Sequence, residues 1–366
     1  MTRHAPHQRL GRLLRQSVFV AAIAALPFAA SAQGVQGCGV RAATDPVPLD
    51  HVPARCEPGF PSPKPLAKRG TMRMAVGLPS AEYFAPIAIG LQKGEFEKEN
   101  LDLQIVVMPG SDALQLMAAR RLDADWASVD ATFLNAVSQG FELAWTVANF
   151  SSSPENKAGL WAQKGTTLKD LKGKIIASVQ GPGSTSLYPL MVGLKNAGMT
   201  TGDLTLQRFE MPLHVMALKN KAVQATWLQD PLWVQFVNDP EYVFLQGQPA
   251  GEPLGGALFG PTLLKDNREV GTAFMRAYVR IVSTYFNGDY KKDDTFMADL
   301  SKALKVPVET LRGVPSNVWD WEIRSGTGAR LQEALLPSKA LTYTEPMPES
   351  KIVDRSFYQE VVGIKR

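Results

Sequence analysis

From Thr71 to Gly140 the chain repeats one unit three times: a short apolar run, a turn, then a stretch whose apolar residues recur at helical spacing. Met72 to Val76 reads as the first strand and ends at Gly77, with a helix from Ala85 to Leu91 stopped by Gly94. Leu103 to Met108 reads as the second, turning through Pro109-Gly110-Ser111 into a helix from Asp112 to Arg121 on which Leu114, Met117 and Ala118 share a face. Ala124 to Val129 reads as the third, followed by a helix from Ala131 to Gln139 that ends at Gly140. Strands joined through helices run parallel, because the helix carries the chain back to the edge it left. Such a sheet binds ligands outside the carboxyl ends of its strands, where helix N-termini converge.

A second series starts after the polar loop Ser151 to Asn156. Lys174 to Val179 is a predicted strand, Ser184 to Asn196 a helix ended at Gly198, Leu204 to Phe209 a strand and Leu213 to Lys219 a helix, with further strands at Ala222 to Leu228 and Tyr242 to Leu245. Two α/β units with a polar joint predict two lobes and a cleft, and a chain of this length exceeds what one core usually holds. From Asn267 onward the period is helical, with Phe274, Tyr278, Ile281, Val282 and Tyr285 spaced to bury one face. These helices follow the end of the second sheet, so they are expected to return to the first lobe. The predicted organisation is a leader at 1–32, a Pro-rich arm at 33–70, lobe I at 71–157 plus 256–366, and lobe II at 158–255.

The leader has Arg3, Arg9, Arg12 and Arg15 without an acid, an apolar stretch from Val18 to Ala30 broken by Pro27, and Ala30-Ser31-Ala32 before Gln33. That is the pattern of a signal peptide removed near Ala32, and the stretch is too short to span a bilayer as a stable helix. An uncleaved anchor, or a lipidated Cys38 after Val35-Gln36-Gly37, are the weaker readings. Those four arginines are the whole positive excess, so the net charge of +4 falls to zero once they are gone. Neither nucleic acid nor an anionic membrane surface is therefore expected as a partner. Pro46, Pro48, Pro53, Pro58, Pro61, Pro63 and Pro65 exclude regular structure from the arm. The chain's 2 cysteines, Cys38 and Cys56, both lie in this arm. In an oxidising compartment they are expected to pair, a metal or catalytic thiol role being the alternative.

The carboxyl-edge rule selects candidate ligand contacts: Ser80, Tyr83 and Phe84 after the first strand, Ser111 after the second, Asp130 and Thr132 after the third. In the second series it selects Gly183, Ser184, Thr185 and Tyr188, then Trp227 and Asp230. Gly181 to Ser186 is the expected anion site, since glycines admit close backbone approach and hydroxyls crowd a helix start. The alternative is an ordinary capped helix. Ser111 and Asp112 can instead act as caps, and the aromatic residues as core. His214, the only histidine after residue 51, reads as a structural residue that can also reach a ligand. No histidine or cysteine pair has metal-ligand spacing, and no metal or other cofactor is expected.

Gly77-Leu78-Pro79-Ser80-Ala81-Glu82-Tyr83, Lys93 to Leu103, Gly110 to Gln115, Leu168 to Lys174 and Asp230-Pro231, in this order, resemble periplasmic solute-binding proteins for nitrate, sulfonates, taurine and thiamine precursors, the NMT1/THI5-like family. Asp130 and Trp126 depart from residues common there. The resemblance implies a type II periplasmic-binding-protein fold: two α/β lobes, each a sheet flanked by helices, with the ligand in the cleft. It also implies a monomeric receptor in the periplasm that passes a small organic ligand to the permease and ATPase of an ABC importer, reaching the membrane only through the permease. Relatives that make the thiamine pyrimidine supply the alternative of an enzyme acting on a pyrimidine-type molecule. The chain has no G-x-S-x-G, H-E-x-x-H or Walker loop to support one, so no catalytic residue is expected.

Overall fold

A computed structural model describes residue 38 and residues 56–178, 181–249 and 251–363. The expected cleavage site lies outside these residues. Twelve strands occur among them: β1 (Gly70–Val76), β2 (Leu101–Val107), β3 (Ala124–Ser128), β4 (Ala144–Ala148), β5 (Phe150–Ser151), β6 (Gly159–Gln163), β7 (Ile175–Ser178), β8 (Thr205–Arg208), β9 (Ala225–Leu228), β10 (Tyr242–Gly247), β11 (Gly255–Phe259) and β12 (Val318–Trp319). The helices are α1 (Ala85–Gln92), α2 (Gly110–Ala118), α3 (Ala131–Ser138), α4 (Leu187–Lys195), α5 (Met211–Lys219), α6 (Arg268–Tyr285), α7 (Asp294–Leu304), α8 (Val308–Arg312), α9 (Thr327–Leu335) and α10 (Ser356–Val361).

The strands form two five-stranded sheets with one topology, ordered β2-β1-β3-β11-β4 and β8-β7-β9-β6-β10. In each, three strands run parallel with the first in the middle, which is what strand-helix-strand units produce. An antiparallel strand then closes on the third: β11 on β3, and β6 on β9. The chain therefore crosses between sheets twice, from β4 to β6 and from β10 to β11. The short strand β12 pairs with β5 in the first crossing, so residues from the C-terminal part run alongside it.

Apolar helix faces cover the first sheet. Phe96 stacks on Phe274 at 5.7 Å, and Trp126 packs against Tyr278 at 5.2 Å. α6 lies against α1, β1 and β2, and α10 against α6 and β4. A β-carbon on Gly90 would come within 2.4 Å of Ile281, so glycine is what lets α1 and α6 approach this closely.

The Pro-rich segment has no helix or strand between Pro58 and Arg69, yet it is fixed. Cys38 and Cys56 are joined in a disulfide, and the Cys56 N–H donates to Ser283 Oγ at 3.2 Å. Arg280, buried on α6, donates to the Pro61 carbonyl at 2.9 Å and to Glu95 and Glu99 at 2.7 and 2.8 Å. Arg276 and the Lys64 N–H also donate to Glu99. Each buried charge here has a charged partner and further hydrogen bonds, the condition under which such groups are tolerated.

Candidate functional site

The carboxyl edges of the two sheets meet. A β-carbon on Gly183, in the turn after β7, would stand 3.3 Å from the Ala131 β-carbon at the start of α3. Ser338 Oγ donates to the Pro182 carbonyl at 2.9 Å, and α9 packs along α4. Elements of the first sheet and of the C-terminal part thus close on the second half from two sides.

On the first-sheet side, Asp130 caps α3 by accepting the Phe133 N–H at 3.0 Å. Burial pushes its carboxyl up to about 6, while the Phe133 and Thr132 N–H groups and the Thr132 hydroxyl pull the other way. Thr132 is exposed, as are Ser80 and Ser111. Neither Ser111 nor Asp112 caps α2: both sit inside its first turn, because the helix starts at Gly110, ahead of the expected Asp112. The Tyr83 hydroxyl accepts the Leu78 N–H at 3.0 Å, and its carbonyl accepts Trp126 Nε1 at 2.7 Å. Phe84 is buried in the core.

On the other side, Gly181 to Gly183 form a single tight turn and α4 starts at Leu187, three residues later than the run of hydroxyls predicts. Two of the hydroxyls bond each other in that turn: Ser184 Oγ lies 2.8 Å from Ser186 Oγ and accepts the Ser186 N–H at 3.3 Å. Ser184, Thr185 and Ser186 are buried. Tyr188 donates to Glu252 at 3.1 Å. Asp230 accepts from Asn156 at 2.9 Å and from Trp233 Nε1 at 2.5 Å, which ties the end of β9 to the crossing segment. Trp227 and Trp233 are buried in the core. His214 is buried between the carbonyls of Trp227 and Phe209, with Nδ1 2.8 Å from the first and Nε2 3.1 Å from the second. It faces backbone of its own half, so it holds α5 to β9.

Residues 81–246 match the family model described as NMT1/THI5 like. Solved structures share the fold. The periplasmic aliphatic sulphonate binding protein SsuA from Escherichia coli superposes with a TM-score of 0.58 at 14% identity, over 80% of this chain and 99% of its own. The alkanesulfonate-binding protein SsuA from Xanthomonas axonopodis pv. citri, bound to MOPS, gives 0.59 at 18% identity over 79% and 100%. The periplasmic nitrate-binding protein NrtA from Synechocystis PCC 6803 gives 0.58 at 13% over 82% and 90%. The architecture is the periplasmic-binding-protein fold. No curated protein matches the sequence at a significant level.

Several crevice groups lie outside both the sequence expectations and the NMT1/THI5-like segment. Glu252, fully buried in the return crossing, accepts from Tyr188, from Thr327 Oγ1, and from Arg330 Nε and Nη2 at 3.0 and 2.9 Å. One carboxylate therefore joins α4, the crossing and α9. Arg324 is buried within electrostatic reach of Glu252 and Asp320, and burial lowers its pKa. Within the NMT1/THI5-like segment, Glu82 accepts from Lys291 at 2.8 Å and Tyr290 at 2.7 Å. Burial raises its carboxyl against the pull of Lys291, and the charge of Asp230 from the other half adds to the rise. Asp125 is the most unusual of these groups: it is 2% exposed, and its Oδ2 has no hydrogen-bond partner among the described residues. Its sequence signal was a carboxylate inside the apolar run Ala124 to Val129. Among the described residues no three His, Cys, Asp or Glu side chains are grouped to hold a metal ion.

Proposed function

We propose that this chain is an extracytoplasmic solute receptor that closes its two halves on a small organic ligand, a sulfonate, carboxylate or heteroaromatic compound, and delivers it to the permease and ATPase of an ABC importer. The carrying observation is the meeting of two carboxyl edges of equal topology at Gly183 and Ala131, with chain crossings behind them. Ligands of open α/β sheets bind at such edges, and a ligand touching both halves favours the closed state by its differential contact. The ligands for which the structural neighbours are named, sulfonates and nitrate, support an anionic head on the ligand. The turn from Gly183 to Ser186, at the meeting of the two edges, is the group assigned to that head. The receptor is read as a monomer in the periplasm, with residues 1–32 removed and no catalytic step.

The test is calorimetry with a panel of alkyl and aryl sulfonates and carboxylates, followed by small-angle scattering of the complex. The expected result is a saturable 1:1 heat, a smaller radius of gyration with ligand, and return of the ligand unchanged. Changing Ser184→Ala and Thr185→Ala together should weaken binding by about fivefold for each hydrogen bond lost. Unchanged scattering on saturation would remove the closure step, and chemical conversion of the ligand would replace the receptor reading with an enzymatic one.

A further inference from the structure

Asp125 is the second residue of β3, beside Ala75 of β1 and Leu258 of β11, so its neighbours in the sheet bring no charge. Its Oδ2 points to the start of α2, where a β-carbon on Gly110 would stand 3.4 Å away. Asp130, on the loop that closes against Gly183, faces it from the start of α3, and Tyr83 faces it from the turn after β1. All three neighbours lie at the crevice edge of the first sheet. A buried carboxylate without a donor costs more than a buried apolar residue of similar size, so a strand position of this kind is costly to keep in the free protein.

Resting on the receptor reading above, we infer that Asp125 and Asp130 together form a recognition point for a protonated amine on the ligand. A neutral hydroxyl or amide relieves one unpaired oxygen but leaves two carboxylates facing one another. An ammonium group supplies both hydrogen bonds and the compensating charge. In the free protein a proton does part of this work: burial and the charge of Asp130 push Asp125 up to about 8, and Asp130 itself stands at about 6. A cation entering between them displaces that proton, so binding near pH 7 releases about one proton and tightens as pH rises from about 6 to 8.

The probes are pairs matched in length: 3-aminopropanesulfonate against 3-hydroxypropanesulfonate, 4-aminobutyrate against 4-hydroxybutyrate, and benzylamine against benzyl alcohol. Each pair is measured by thermal shift and by calorimetry in two buffers of different ionisation enthalpy. The amine member should bind about 10- to 100-fold more tightly, release a proton, and lose that advantage in Asp125→Asn, which preserves the shape of the side chain. If both members of a pair bind equally, or Asp125→Asn leaves the amine's affinity unchanged, the inference is overturned while the receptor reading stands. If no probe binds, the receptor reading is weakened, and the ligand-free melting temperature decides the inference. Asp125→Leu melting about 2–4 °C higher means the carboxylate is kept against stability and supports a binding role, whereas a lower value shows a structural one and overturns it.

Discussion

The two sheets have the same strand order but not the same surroundings. In the first, every residue of β4 and β11 is buried, and α1, α6 and α10 close over the strands. In the second, β10 is half-buried along its whole length and β8 presents three exposed residues out of four. The C-terminal helices account for the difference, since α6, α7 and α10 pack on the first half and only α9 reaches across to α4. Equal topology therefore supports unequal tasks. The first half is a rigid base that also holds the N-terminal arm, and the second is a lighter element attached through two crossings and the Glu252 junction.

The largest test of this contrast is Arg280→Ala, which removes the buried cation shared by Glu95 and Glu99 and leaves them with Lys98 and Arg276. A loss of about 3–5 kcal/mol is expected, read as a lower denaturant midpoint for the whole molecule. A loss confined to residues 56–69 in hydrogen exchange would show that the base does not depend on its arm. Glu252→Gln should cost less, about 1.5–3 kcal/mol, because the amide keeps part of the hydrogen bonding of a charged acceptor. Its effect should appear first as faster amide exchange in α4 and α9, with α6 unchanged. Uniform acceleration would mean that the halves unfold as one unit.

A third effect is pH-dependent. A carboxyl whose folded pKa lies above its unfolded value contributes stability at low pH that is lost as pH rises through the folded value. With Asp125 at about 8, the protein should lose stability progressively from about pH 4 to about 8 relative to Asp125→Asn. A constant difference across that range would show that Asp125 does not titrate there. The smallest expected effect on stability is Gly183→Val. The side chain meets Ala131 only where the halves touch, so the melting temperature should hardly change while affinity and closure weaken.

Much of this architecture was legible in the sequence because it depends on period. β1, β2, β3 and the helices after them appear within a few residues of their predicted places. Of the antiparallel strands in the two large sheets, β10 was legible as Tyr242 to Leu245, while β4, β6 and β11 were not. β11 begins Gly255-Gly256, a poor strand signal, and is glycine-rich because its backbone lies tight against its neighbours: a β-carbon on Gly256 would come 1.9 Å from the Val147 carbonyl oxygen. α4 starts late because Ser184 and Ser186 bond each other in the preceding turn. In the crevice, the edge rule brought Asp130, Gly183 and Tyr188 to attention since they follow strands. Glu252, Arg324 and Arg330 lie on long connections whose route no local pattern reveals, and Asp125 was passed over as an ordinary strand residue.

The position of β11 also bears on how the molecule comes to be folded. Its pairing joins Gly255–Phe259 to Ala124–Ser128, so the first sheet lacks an internal strand until the second half of the chain is available. Loop-closure entropy makes such distant pairings slow, and the partly made sheet offers an open edge in the meantime. The first half is therefore not a folding unit that can finish before the second has been made, whereas the five strands of the second sheet are consecutive in the chain. During synthesis the first sheet stays incomplete well past the residues that begin its core, until Gly255–Phe259 has been made.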